Sequence, residues 1–474
     1  MNQSEYDAVV VGAGPNGLSA AIELARAGLR ICLIEAKETV GGGARSAELT
    51  ELGFIHDVCS TIHPMGFASP FFRSLNLERW GVEWVHAEAA LAHPFDDGTA
   101  ALLFESLDAT CETLGRDAAA YRDLMKPLAD HADELFEDIL RPVRLPRHPL
   151  VMLRFGLSAV CSCVGLANLR FQGEKAKALL AGCAAHQVVP LDRLGTASFG
   201  LVLMLVAHKS GWPFAGGGSQ KIADALAECL KSYGGEIRLN SPIRSMRDLP
   251  RSRAVLFDLT PRQIVEIAGD ELPPSYRSRL SRFRYGPGVF KVDWALNGPI
   301  PWRASECTRA ATVHVGGSIN EIAASEDEAW NGKISDRPFV IVAQQSLFDS
   351  SRAPAGKHTA WAYCHVPHSS SADMTERIEN QIERFAPGFR EIIIARHTMN
   401  ASELQHHNEN FIGGDIGGGA NNLRQFIARP VMKLDPYSTP NEKIFICSSS
   451  TPPGGGVHGM CGYNAARSAL RRLV

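Results

Sequence analysis

Gly12-Ala13-Gly14-Pro15-Asn16-Gly17 is a GxGxxG, and Glu35 closes the next apolar run 23 residues after Gly12. Glycines at this spacing let a chain turn tightly, let a phosphate reach the backbone, and let a helix pack closely on a sheet. The helix that follows turns free N–H groups and a partial positive charge toward the phosphates. A carboxylate at Glu35 accepts hydrogen bonds from ribose hydroxyls and disfavours a 2′-phosphate. The chemistry is recognition of an adenine dinucleotide other than NADP.

A second glycine turn, Gly41-Gly42-Gly43-Ala44-Arg45-Ser46, follows directly. It brings backbone and the Arg45 guanidinium onto the same pyrophosphate, which points to FAD.

The elements that position these residues follow from pattern. A buried strand over 9–11 and a helix over 15–27, stopped by Gly28, lead to a second strand over 29–34. Residues 67–205 read as mostly helical, punctuated by prolines. Gly216-Gly217-Gly218 then opens a helix over 219–233, followed by strands over 236–239 and 254–259. Strands over 289–296, 339–348 and 359–366 and a polar helix over 374–385 belong to another, antiparallel sheet. A strand over 443–447, a loop over 448–456 and a helix over 457–470 close the chain. The expected fold is α/β: a discontinuous Rossmann-like FAD-binding domain (1–66, 211–270, 416–474) with an inserted α+β substrate domain (67–210, 271–415).

Three blocks carry a resemblance to the phytoene desaturase-like (phytoene dehydrogenase-related) flavoproteins, a branch of the amine oxidase and glutathione reductase type FAD fold. The first is 7–46, with the glycine turn and Ile34-Glu35-Ala36. The second is 213–243, ending in Ser241-Pro242-Ile243, which in the family supplies backbone near the adenine. The third is 444–466, where Thr451-Pro452-Pro453-Gly454-Gly455-Gly456-Val457 looks like the family's flavin loop. The resemblance implies cofactor contacts from Gly12, Ala13, Gly14, Pro15, Asn16 and Gly17, and from Glu35 and Ala36. It adds Gly42, Gly43, Ala44, Arg45 and Ser46, then Ile243, and finally Pro453, Gly454, Gly456, Val457 and Met460. The late loop, set before a helix N-terminus, is expected to turn N–H groups toward the flavin's pyrimidine end. Carotenoid desaturases carry glycines and a Thr-His-Pro here. In this chain Ser448 and Ser450 replace glycines, Pro452 replaces the histidine, and His458 stands where a proline is common, which argues against phytoene itself.

Flavin chemistry needs few protein groups beyond those that orient substrate and exclude water. Where a proton must leave with a hydride, His458 and His63 are the candidate bases, set against capping or packing roles. Cys461 lies in the first turn of the last helix, where a thiol's pKa falls, but packing is the simpler reading. His406-His407 reads as a solvated loop without a third metal ligand, and no metal is expected. Lys291 and Asp293 share one strand face by period two, as an ion pair or part of the substrate pocket. The apolar stretches 150–164 and 199–207 read as domain core, against the tunnel or membrane-resting surface that related enzymes form in this region.

Composition sets the outer bounds. The chain has 474 residues, 45% hydrophobic and 21% charged, with net charge -3, which suits a multidomain globular protein with no nucleic-acid partner. Eleven scattered cysteines, with no CxxC, suit a cytoplasmic setting, and residues 1–7 show no secretory pattern. The expected function is an FAD-dependent oxidoreductase that desaturates or oxidises a lipophilic, isoprenoid-like small molecule by hydride transfer to flavin N5. Oxygen or a quinone is the expected acceptor, and membrane contact is peripheral. The alternatives are an amine oxidase-like enzyme on a polar substrate, a flavin-dependent isomerase, and a non-catalytic prenyl-binding protein like the Rab GDP-dissociation inhibitors.

Overall fold

The computed structural model describes residues 5–142 and 144–474, so residues 1–4 of the polar N-terminal stretch lie outside it. Its first sheet runs in the order Ile444–Ile446, Ser252–Phe257, Tyr6–Val11, Ile31–Ile34, Glu236–Arg238, and every pairing is parallel. Parallel sheets are covered on both faces, which is why residues 8–11, 31–34, 254–257 and 444–446 are apolar runs, while the edge strand Glu236–Arg238 is polar and more exposed. Ala8 and Val10 join the core formed with the helices Pro15–Arg26, Gln220–Ser232 and Met460–Leu473. Val9 and Val11 face the other way, onto Ile264, Leu272 and Tyr276. The two ends of the chain meet where the terminal helix crosses the first. A Cβ on Gly462 would stand 1.8 Å from the Asn16 carbonyl, so only glycine permits that approach.

A second sheet of seven strands runs in the order Ile393–Met399, Gly288–Leu296, His358–Val366, Val340–Ala343, Ala310–Val315, Ala89–Pro94, Ala100–Phe104. It is antiparallel except where Ala310–Val315 pairs with Ala89–Pro94. Four of these strands went unread: Ala89–Pro94, Ala100–Phe104 and Ala310–Val315 are short and fully buried, so they lack alternation, and Ile393–Met399 is a polar edge strand whose faces alternate in exposure. The strand expected over 339–348 stops at Ala343, where Gln345–Leu347 turns as a 3₁₀ helix. One face of this sheet packs Val292, Trp294 and Val342 against Ile378, Ile382 and Phe385 of the helix Thr375–Phe385. The other face carries Thr312, Ile341, Ala343, Trp361 and Tyr363, which the registers place side by side. The helices Glu174–Ala185 and Thr196–Ser210 lie across that face, with Gly182 against the His314 ring.

The two apolar stretches part company in the structure. Residues 199–207 fall inside Thr196–Ser210, where Leu201, Met204, Leu205 and Val206 are buried as expected. Residues 150–164 are not core. They form Pro149–Ala159 and Cys163–Arg170, bent by 93°, with Phe155, Ala159 and Cys163 buried while Leu150, Leu153, Leu157 and Val160 are exposed. A helix that is apolar all round but packed on one side leaves its other side in solvent. Among the described residues no single helix is long and apolar enough to cross a membrane.

Candidate active site

The first strand ends at Val11, and Gly12 turns the chain with φ +98° while its N–H donates to the Ile34 carbonyl at 2.8 Å. Gly14 precedes the helix, whose first turn holds no acidic residue of its own, while the Gly17 N–H is taken by the Asp258 carboxylate at 2.9 Å. The second glycine turn lies directly against the first. A Cβ on Gly42 would stand 3.0 Å from Gly14 Cα, and the Gly41 N–H donates to the Ala13 carbonyl at 2.8 Å. Glu35 is fixed from three sides: it accepts from the Ala13 N–H at 2.8 Å, the Lys37 N–H at 3.0 Å and Arg45 Nη2 at 3.3 Å. A carboxylate has about four acceptor sites, so capacity for a ribose hydroxyl remains. Arg45 Nη2 donates to Glu35 and to the Thr39 carbonyl at 2.7 Å, while its Nε is unpartnered at the cavity wall.

A cavity of about 480 Å³ begins at these turns. It is lined by Gly12, Gly14, Pro15, Asn16, Glu35, Ala36, Gly42, Gly43, Arg45 and Ile243, then by residues 59–66 and by Gly455, Gly456 and Val457. It continues into a compartment walled by Phe199, Leu203, Trp212, Ile341, Ala343, Trp361 and Tyr363, where His186 and Thr312 add polar groups. The donor set fits FAD. The side-chain-free backbone of Gly12, Gly14 and Gly42 leaves room for the pyrophosphate at the helix start, and Glu35 suits the ribose. Asn16 Oδ1, Arg45 Nε, both His63 ring nitrogens and His407 Nε2 are buried without a hydrogen-bond partner along these walls.

Other expected contacts serve the scaffold and do not line the cavity. Ala13 gives its N–H to Glu35, Gly17 gives its N–H to Asp258 at 2.9 Å, and Ser46 Oγ donates to Asp57 at 2.7 Å. Ala44 is buried beneath the second turn, Pro453 and Gly454 sit behind the late loop with Gly454 against Arg429, and Met460 is buried at the helix start. The terminal helix begins at Met460 rather than 457, after Gly459 at φ +69°, and its Met460 N–H donates to His458 Nδ1 at 3.0 Å. The Met460 N–H thus serves His458 rather than the cavity, and His458, expected as a base or in a capping role, does not line the cavity. Burial pushes the His458 imidazole down to about 4.

His63 does line the cavity. Its ring is buried, and desolvation holds it down at about 4, so it is neutral near pH 7. Cys461 is no thiolate: it is buried against the carbonyls of Thr451 and Gly454, and burial pushes its thiol up to about 12. Lys291 and Asp293 form a buried ion pair with His56 Nδ1 3.6 Å from Asp293, and neither lines the cavity. The aromatic rings of Trp361 and Tyr363 are 5.4 Å apart and tilted by 32°, in contact with each other, so no substrate fits between them.

Several wall residues escaped sequence reading. His407 was expected in a solvated loop but ends the helix Ala401–His407, half-buried at the cavity with Asn408, Glu409, Asn410 and Phe411. Glu409 is held there by Arg244 at 2.9 and 3.0 Å. Asp258, directly after Ser252–Phe257, sits inside the dinucleotide turn. None belongs to a motif, and only its place after a buried strand beside the first marked Asp258.

With this geometry in hand, likeness to known proteins is informative. Residues 10–76 match the NAD(P)-binding Rossmann-like domain family. The chain is 26% identical to the mouse pyridine nucleotide-disulfide oxidoreductase domain-containing protein 2 over 99% of this chain and 94% of that one. It is 24% identical to a phytoene desaturase of Fusarium fujikuroi over 78% of this chain and 67% of that one. The structure of a putrescine oxidase bound to putrescine superposes with a TM-score of 0.64 at 19% identity, covering 98% of both chains, and so shares the fold.

Proposed function

For a chain that is an FAD-dependent oxidoreductase, with phytoene desaturase homologues and the fold of amine oxidases, we propose dehydrogenation or desaturation of a lipophilic, isoprenoid-like small molecule. The observation that carries this reading is the continuity of one cavity from the dinucleotide turns to an apolar compartment between the second sheet and the helix Thr196–Ser210. Phe199, Leu203, Trp212 and Ile341 offer such a substrate dispersion contacts and exclude water.

When bound, FAD supplies the hydride acceptor. The chain's own work is to hold the substrate beside it and to manage the proton. His63 is the proton acceptor in this reading, because it lines the cavity and neither ring nitrogen is engaged elsewhere. Thr61 fixes the same strip of wall through a hydrogen bond from Trp361 Nε1.

A lipophilic substrate reaches the enzyme from a membrane surface. The bent pair Pro149–Ala159 and Cys163–Arg170 exposes Leu150, Leu153, Leu157, Val160 and Leu169, with Arg144, Arg147, Arg154 and Arg170 exposed around them. This is the pattern of an interfacial apolar face with basic neighbours. Gly195 donates to the Val160 carbonyl at 3.0 Å and precedes the helix that carries Phe199 and Leu203, so patch and cavity share one support. Oxygen or a quinone then serves as final acceptor.

The experiment is anaerobic mixing of the FAD-loaded protein with isoprenoid lipids and, separately, with primary amines. Loss of the oxidised flavin band with lipids alone is the expected result. Bleaching by amines alone would overturn the substrate reading.

A further inference from the structure

Asp258 leaves the strand Ser252–Phe257 and enters the dinucleotide turn. Its N–H donates to the Val11 carbonyl at 2.8 Å, Oδ2 accepts the Gly17 N–H at 2.9 Å, and the carboxylate also takes the Gly14 N–H. A Cβ on Gly14 would stand 2.8 Å from Oδ2. Asp258 is 7% exposed and lines the cavity between Gly14 and Thr260. Its carboxyl therefore occupies the donors that a helix start otherwise gives to phosphate.

Backbone N–H donors at the helix start favour an ionised carboxylate here, but among the described residues no charged side chain pairs with it. The titratable groups that face Asp258 are Glu35 from the second strand, the Cys447 thiol beyond the strand Ile444–Ile446, and the Cys461 thiol of the terminal helix. Among the described residues no lysine or arginine forms an ion pair with it, and the Arg45 guanidinium is held by Glu35. A carboxylate and a pyrophosphate side by side in a desolvated turn are like charges, which one proton relieves.

We propose that Asp258 is a cofactor-binding residue in its neutral form: it takes up one proton as FAD docks and donates a hydrogen bond to a phosphate oxygen. The proton comes from solvent and no covalent bond changes. Burial, with the nearby charge of Glu35, already pushes the carboxyl well above the usual carboxylate range. The proposal rests on the FAD assignment and is independent of the substrate.

The test is FAD binding to the apoprotein, followed by flavin fluorescence between about pH 6 and about pH 9. Calorimetry in buffers of different ionisation enthalpy counts the protons. The expected result is affinity that falls with rising pH, approaching about tenfold per pH unit on the alkaline side, with uptake approaching one proton. Asp258→Asn keeps an acceptor for Gly17 and is always uncharged. It should bind FAD with a flat pH profile and, at the alkaline end, more tightly than the wild type by about tenfold or more. Wild-type binding without proton uptake, or an unchanged slope in Asp258→Asn, would overturn the proposal. Should that variant not fold, wild-type calorimetry decides alone.

Discussion

The Arg352 guanidinium donates to Asp57 Oδ2 at 2.9 Å, and both side chains are fully buried. The same carboxylate accepts Ser46 Oγ at 2.7 Å and the Ser219 N–H at 2.7 Å, while Arg352 also holds Asp349 at 2.8 Å and the Ala215 carbonyl at 3.0 Å. One ion pair thus joins the end of the second glycine turn, the start of the helix Gln220–Ser232 and the 3₁₀ turn Ser350–Arg352 that precedes the strand His358–Val366 of the second sheet. It fixes the wall on which His63 sits.

Removing one partner strands a buried charge. Arg352→Met should cost about 3–5 kcal/mol in urea unfolding at neutral pH. A loss below about 1 kcal/mol would mean that the network is not holding the wall. The Arg352 charge holds Asp57 below its ordinary value, so this contribution is present above the unfolded carboxylate range and is lost as pH falls through the folded value.

The contact of the two glycine turns allows a second check. Gly42→Ala places a Cβ 3.0 Å from Gly14 Cα at a backbone φ of +55°. FAD affinity should fall by about tenfold or more while far-UV circular dichroism stays unchanged, since the turn lies at the surface of the sheet rather than in it. Unaltered affinity would place the pyrophosphate elsewhere.

The buried histidines give a pH dependence of the opposite origin to that of Asp57. Desolvation holds His56, His63 and His458 at about 4, so the unfolded chain binds protons near the ordinary histidine value that the folded chain refuses. Stability from this source is full above about pH 6.5 and declines as pH falls toward about 4. Thermal unfolding should show a midpoint dropping by several degrees per pH unit over that window, and a flat midpoint would show that these rings gain protons without unfolding.

His63 and His458 should separate in kinetics. His63→Gln is expected to slow anaerobic flavin reduction by about 10²-fold with FAD affinity intact. His458→Gln should cost about 1 kcal/mol of stability through its lost cap and leave the reduction rate within about twofold. The reverse pattern would return the base to His458.

The exposed leucines make a surface prediction. Leu153→Glu with Leu157→Glu should abolish co-sedimentation with anionic vesicles while changing stability by no more than about 0.5 kcal/mol per site, because both side chains already face solvent. Retained vesicle binding would place the membrane contact on another face.

What the linear sequence determined was whatever depends on near neighbours. Gly12, Gly14, Gly17 and Glu35 fall within one strand-turn-helix-strand unit, so their spacing alone fixes a backbone cradle and an acid beside it. The first two parallel strands were legible because their apolar runs flank the glycine turn and its helix. The late glycine loop was legible as well, but the register of the helix after it was not. Gly459 and the His458 cap moved that start to Met460, an effect of local hydrogen bonding that composition does not encode.

Tertiary structure alone decided which distant residues share the dinucleotide's surroundings. Asp258 enters the turn because its strand lies beside the first. His407 and Glu409 reach the cavity wall because Arg244 holds their segment there. Arg352 finds Asp57 across 295 residues of chain. Such pairings are set by which buried faces fit together, and no local pattern records them. The apolar stretch 150–164 shows the same limit from the other side. Its hydrophobicity was plain in the sequence, but whether it faced the core or the solvent depended on how much neighbouring surface was left to cover it.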